Sequence, residues 1–117
     1  MNRKTTEVLL AYMLDSIEKI EQALNGVSRE DFLNFFTFHD IADRRLEIIG
    51  EAAISVPEEF KKDHPEIEWR DIADTRNKII HEYFSVDHKL VWEIIQNDLP
   101  KLKKYIAKIL DETKEQT

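Results

Sequence analysis

The chain contains no cysteine, which excludes a disulfide framework, thiolate metal ligands and a cysteine nucleophile, and agrees with a reducing compartment. Two glycines and three prolines are spread over 117 residues. That is too few for a chain of tight turns, and Gly26 and Gly50 cannot build a phosphate-cradling loop. No stretch approaches the roughly 18 apolar residues of a membrane span, and the opening MNRKTTEVLL holds no long apolar run, so a cytoplasmic chain with no membrane contact is expected. A positive balance is missing as well. Lys and Arg number 17 against 24 Asp and Glu, leaving a formal charge of −7, so the surface as a whole repels phosphate chains and an anionic substrate needs a local basic pocket. The histidines His39, His64, His81 and His88 form no i, i+4 pair, and no HExxH or carboxylate-rich calcium loop occurs, so neither a metal site nor a cofactor is expected.

What the chain does have is helical periodicity. Hydrophobic content of 42% with 35% charged residues suits one globular domain, read as residues 1–112 with a charged tail at 113–117. Val8, Leu9, Tyr12, Leu14, Ile17, Ile20 and Leu24 predict a first helix from Thr5 or Thr6 that ends at Asn25-Gly26. Ser28, with Asp31 three residues on, opens a short helix anchored by Phe32, Phe35 and Phe36. Thr37 with Asp40 repeats that start signal, and a long helix runs on until Pro57. EEFKKDHPE reads as a polar connection. A fourth helix is expected from Glu66 or Ile67 to Phe84, and a fifth capped by Ser85 or Asp87. Pro100 fits the first turn of a final segment, or a kink. The expectation is an all-α, antiparallel bundle of about five helices.

The fourth helix carries an anomaly. With Arg76 set at zero and about 100° per residue, Trp69, Ile72, Ala73, Ile79, Ile80, Tyr83 and Phe84 all fall within about 80° of it, so a guanidinium stands in the middle of an apolar stripe. Arginine keeps its proton, and burial without a partner costs several kcal/mol, so Arg76 must meet a carboxylate, a phosphate or a water-filled cleft. A structural salt bridge satisfies that requirement as well as a functional site does. The third helix repeats the pattern, because Arg45 falls among Ile41, Ile48, Ile49, Ala52 and Val56 while Asp40, Arg44, Glu47, Glu51 and Ser55 share a polar arc. Gly50, in mid-helix, marks a close backbone approach. His81 lies on the flank of the fourth helix with Asn77, and histidine is the side chain suited to proton transfer near neutral pH. Five residues put Arg76 and His81 about 140° apart and about 7.5 Å along the axis. They therefore converge on one phosphate only at the edge of a groove, and a two-fold dimer packing this helix on its mate would create one.

The stretches RRLEIIGEAA (Arg44 to Ala53), IEWRDIADTRNKIIHEYF (Ile67 to Phe84) and VWEIIQNDLPKL (Val91 to Leu102) together resemble the HepT toxins of the HEPN superfamily. RNKIIHEY matches that family's Arg-x4-His-x-Tyr motif. The resemblance implies a helical bundle that dimerises through the motif helix, and a metal-independent ribonuclease cutting RNA in a composite cleft. It makes Arg76 and His81 the catalytic pair, Asn77 the polar residue after the arginine, and Glu51 and Arg45 supporting residues. It makes Tyr83 the acceptor of AMP from a partner nucleotidyltransferase antitoxin of the MntA type. The alternative is a non-catalytic helical dimer that binds nucleotide or a nucleotidyltransferase through the same groove.

Overall fold

A computed structural model describes residues 3–82 and 84–115, and every regular element among them is helical. The helices are α1 (Arg3–Ala23), α2 (Arg29–Asn34), α3 (Phe36–Ser55), α4 (Glu58–Asp63), α5 (Trp69–His81), α6 (His88–Glu93) and α7 (Leu99–Glu115), with a π turn at Ile94–Asp98 between the last two. α1 packs on α3 and α7, and α3 packs on α5; α2 and α6 close the end beside the start of α3. The body measures 46 × 29 × 19 Å, so it is a slab about two helices thick. No helix among the described residues is long and apolar enough to cross a membrane.

The core face of α1 is Leu10, Met13, Ile17 and Ile20, continued by Leu24 just beyond the helix, a 3-4 spacing that keeps one narrow stripe inward. Val8 and Tyr12, read from the sequence as part of that stripe, are exposed, because the apolar surface of α1 is wider than the strip that α3 and α7 cover. Gly26 adopts a φ of +76° after α1, the left-handed conformation that glycine reaches without a Cβ penalty. Ser28 then caps α2, accepting a hydrogen bond from the Asp31 amide at 3.1 Å. Of the three phenylalanines expected to anchor α2, Phe32 is fully buried, whereas Phe35 and Phe36 are exposed. Phe32 lies against the rings of His39 (5.3 Å), Trp92 (5.2 Å) and His88 (6.3 Å), and that one anchor fills the space between α2, α3 and α6.

Several boundaries depart from the sequence reading, beginning with α1, which starts at Arg3 rather than Thr5 or Thr6. α3 starts at Phe36 behind an extended Phe35 with no side-chain cap, so Thr37 and Asp40 lie inside the helix rather than at its start. The EEFKKDHPE connection contains a turn of helix, α4, which begins after Pro57 and has Glu58 and Glu59 in its first turn, where carboxylates meet the positive end of the peptide dipoles. α5 begins later and stops sooner than expected: the Trp69 indole donates to the His64 carbonyl at 3.0 Å and fixes the entry, and the helix ends at His81. Asp87, rather than Ser85, caps α6 by accepting from the Lys89 and Leu90 amides. Pro100 lies in the first turn of α7, directly after the π turn, where the Leu99 amide donates to the Ile94 carbonyl. The wider turn absorbs the missing proline N–H and the clash of its ring with the preceding turn, so the first-turn and kink readings of Pro100 are two descriptions of one feature.

Candidate functional site

The site begins with a missing Cβ. A methyl built on Gly50 would stand 2.2 Å from the Cβ of Arg76 and 2.7 Å from its Cγ, closer than any packed carbon pair, so only glycine lets α3 and α5 cross here. The close approach expected at Gly50 is present, and Arg76 is what approaches. Glu51, the next residue of α3, receives the Arg76 Nη2 in an ion pair. The Arg76 Nη1 donates to the Asn77 Oδ1 at 2.9 Å, while its buried Nε has no hydrogen-bond partner among the described residues.

Exposure sorts this constellation. The Arg76 side chain is 24% exposed and that of Glu51 59%, so the pair sits at the rim of the α3–α5 crossing rather than in the core. Two of the guanidinium's five N–H groups serve Glu51 and Asn77, and two more at its terminal nitrogens are left for an oxyanion from outside. The carboxylate that orients the guanidinium also neutralises it, so an incoming phosphate competes with Glu51.

His81 is the last residue of α5 and is exposed, and it forms no side-chain hydrogen bond or ion pair with a described residue. The chain therefore joins Arg76, Asn77 and Glu51 by direct bonds and leaves His81 apart from them, one and a half turns further along the helix. Arg45 is half-buried and enters no ion pair among the described residues; it is Arg44 that pairs, with Glu47 at 3.3 Å on the outer face of α3. Tyr83 lies outside the described residues. Of the apolar stripe around Arg76, Ile79 alone is buried within α5. Ile80 remains 37% exposed, and Phe84, beyond the helix end, 97%. This edge of the slab thus presents apolar and charged groups together.

A second polar cluster lies at the start of α3, and sequence reasoning missed it. The Asp43 carboxylate takes the His88 Nε2 at 2.9 and 3.1 Å, and the His39 ring stacks on His88 at 3.8 Å with 8° between planes. Burial raises the Asp43 carboxyl above its ordinary value, offset only in part by the hydrogen bond and charge of His88 and by His39. The His39 Nε2 is buried without a partner among the described residues. Asp43 and His88 are 45 residues apart, so no local period connects them. The one sequence signal was a polar residue, Asp43, beside the core position Ala42.

A family model described as ribonuclease HepT-like matches residues 13–109. A Methanocaldococcus jannaschii protein named "Gamma-glutamylcyclotransferase and putative RNase MJ0434" is 40% identical over 110 residues, 94% of this chain and 50% of that protein, so the chain spans about half the length of that two-part relative. "Putative RNase TTE0752" of Caldanaerobacter subterraneus subsp. tengcongensis is 38% identical over 111 residues, 95% of this chain and 99% of the relative. "Probable ribonuclease HepT" of Thermococcus cleftensis is 42% identical over 95 residues, 81% and 86% of the two chains. No solved structure matches.

Proposed function

The chain belongs to the HepT-like ribonuclease family, and on that premise we propose that it is a HEPN-type endoribonuclease toxin, cutting RNA without a metal through Arg76 and His81 in a cleft shared by two subunits. The observation that carries this reading is the half-open guanidinium of Arg76, held by Glu51 and Asn77 with two terminal N–H groups left unbonded among the described residues. A guanidinium so fixed offers a forked donor to a phosphate and meets the charge that builds as the phosphorus becomes five-coordinate. His81, exposed at the end of the same helix, accepts the proton of the 2′-hydroxyl as the 2′-oxygen attacks phosphorus. The departing 5′-oxygen needs a proton in turn, and the partner subunit's His81 delivers it.

A dimer supports this scheme on two counts. One chain supplies one histidine for two proton transfers, and its stripe leaves Ile80 and Phe84 uncovered beside the reacting groups. A two-fold contact along α5 would bring both motifs to one groove and bury that stripe. Asn77 then contributes orientation, Glu51 holds the guanidinium until substrate arrives, and Arg45 adds positive charge nearby. Tyr83, two residues after His81, is the acceptor of AMP from an MntA-like nucleotidyltransferase antitoxin. The added phosphate neutralises Arg76, and the nucleoside blocks the cleft.

The Arg76–Glu51 pair also favours a second reading, in which the groove binds nucleotide or a nucleotidyltransferase and cuts nothing, because a paired arginine satisfies the fold by itself. Incubation of the purified chain with structured and single-stranded RNA, with and without EDTA, separates the two. Cleavage that persists in EDTA and vanishes in His81→Ala supports the nuclease, whereas binding without cleavage in the wild type supports the other reading. Co-expression with an adjacent nucleotidyltransferase, followed by mass spectrometry, tests Tyr83: loss of toxicity without AMP on Tyr83 removes it from the regulatory role.

A further inference from the structure

On the opposite flank of α5 from Asn77 and His81, where α3, α5, the π turn and α7 meet, lies a cavity of about 220 Å³. Its floor is apolar, with Leu46, Ile72 and Leu102 among the residues that form it. Its rim is acidic: Glu66, Glu68, Asp71 and Asp98 line it against Lys101 as the one cation, a local excess of three negative charges. Glu66 also accepts the His64 Nδ1 at 3.1 Å. A hydrogen bond to Asp71, the like charge of Asp71, partial desolvation and the like charge of Asp98 raise the Glu68 carboxyl above its ordinary value, with Lys101 opposing them. Carboxylates held this close repel, and a cation placed among them relieves the repulsion.

The volume decides what class of molecule fits. Pockets that enclose small organic ligands run from about 300 to 1,000 Å³, and this one is smaller. An apolar floor inside a charged rim is instead the arrangement of protein interfaces, where a few anchoring side chains enter pockets ringed by polar groups. We propose that this cavity docks a lysine- or arginine-rich segment of a partner protein, which inserts an apolar side chain against Leu46, Ile72 and Leu102 and sets its cations against Glu68, Asp71 and Asp98. The face is distinct from the Arg76–His81 edge, so a partner held here leaves the RNA cleft open. The docking does not depend on whether the chain cuts RNA.

The test uses the full chain, labelled with ¹⁵N, and a short synthetic helical peptide of alternating leucine and lysine clusters. A second peptide has serine in place of leucine, and a third has glutamate in place of lysine. At low salt the first peptide should shift the amides of Ile72, Thr75 and Leu102. Its affinity should fall by about tenfold or more in Asp71→Lys/Asp98→Lys, in the serine peptide and in the glutamate peptide. Because the whole chain is acidic, Glu58→Lys/Glu59→Lys on α4 makes the same change in net charge away from the cavity, and it should leave affinity within about twofold. Equal binding of the serine peptide, or equal loss in the α4 variant, reduces the effect to general charge attraction and overturns the proposal. Spermidine shifting the same amides with equal affinity overturns it in favour of a small polycation, and concentration-dependent shifts there without peptide overturn it in favour of a second copy of this chain.

Discussion

Arg76 keeps its place by two bonds to its own chain, and that arrangement sets what each substitution near it should do. In Arg76→Ala the more exposed partner, Glu51, is left to water, so stability should change by no more than about 1 kcal/mol while RNA cleavage disappears. Paired denaturant melts and cleavage rates check both halves. His81 is exposed and makes no side-chain bond among the described residues, so His81→Ala should melt within about 0.5 kcal/mol of the wild type and lose cleavage by about a hundredfold to ten-thousandfold. Asp43 behaves differently. Its folded-state pKa lies above the ordinary 3.8, so the folded chain holds a proton that the unfolded chain has released, and the stability owed to this group falls as pH rises from 3.8 through the raised value. Asp43→Asn keeps an oxygen for His88 without a charge to desolvate. Its stability relative to the wild type should therefore climb across that window, and melts at stepped pH read the slope directly. That Arg76 needs a partner was legible from the sequence because a charge inside a periodic stripe is a local signal, and Glu51 is that partner. The Asp43–His88 pair was not, since a contact between α3 and α6 leaves no period in either helix.

At the scale of elements, the crossing of α3 and α5 depends on one absent methyl. Gly50→Ala gains about 1 kcal/mol of helix propensity and loses more than that to the contact with the Cβ of Arg76, since overpacking a tight contact costs about 1–3 kcal/mol. The variant should be destabilised on balance, and Arg76→Ala should not rescue it because alanine keeps the offending Cβ. A double-mutant cycle in urea reads out this coupling. Gly50 was legible as a close approach because glycine in mid-helix needs a reason. The helix boundaries were less so. α5 stops at His81 although apolar spacing continues to Phe84, because periodicity reports which face is apolar and not where backbone hydrogen bonding ends. α4 was missed because a helix of one turn is too short to display a period. Pro100 announced a break, but the π turn that absorbs it is fixed by how α6 and α7 pack on the bundle.

For the whole molecule, a slab 19 Å thick leaves part of the apolar stripe of α5 exposed on one edge, the edge that the proposed dimer contact would cover. Light scattering should give twice the 13.9 kDa of one chain. Ile80→Lys, which places a charge on the uncovered stripe, should yield a folded monomer that no longer cleaves RNA, and a dimer of unchanged affinity would rule out α5 as the interface. The all-helical architecture was legible from the sequence because nearly every segment repeats at the helical period and breakers are rare. The face that each helix turns inward was less so, as the exposed Tyr12 and Phe36 illustrate, because apolar residues at an uncovered edge look the same as those of a core.

The Gly50–Arg76 contact has a mechanical side. Where two backbones touch, the helices cannot move closer, and the point acts as a fulcrum. Arg76 stands on it and His81 stands at the end of a lever arm of about 7.5 Å. A tilt of α5 by about 10° would carry His81 through about 1.3 Å while the Cβ of Arg76 hardly moves, a displacement large enough to make or break a hydrogen bond. Whatever presses on the far end of α5 can thus shift His81 relative to an Arg76 side chain that Glu51 and Asn77 hold. Relaxation dispersion should show it as exchange at the amides of His81 and Glu82 that is absent at Arg76 and Gly50.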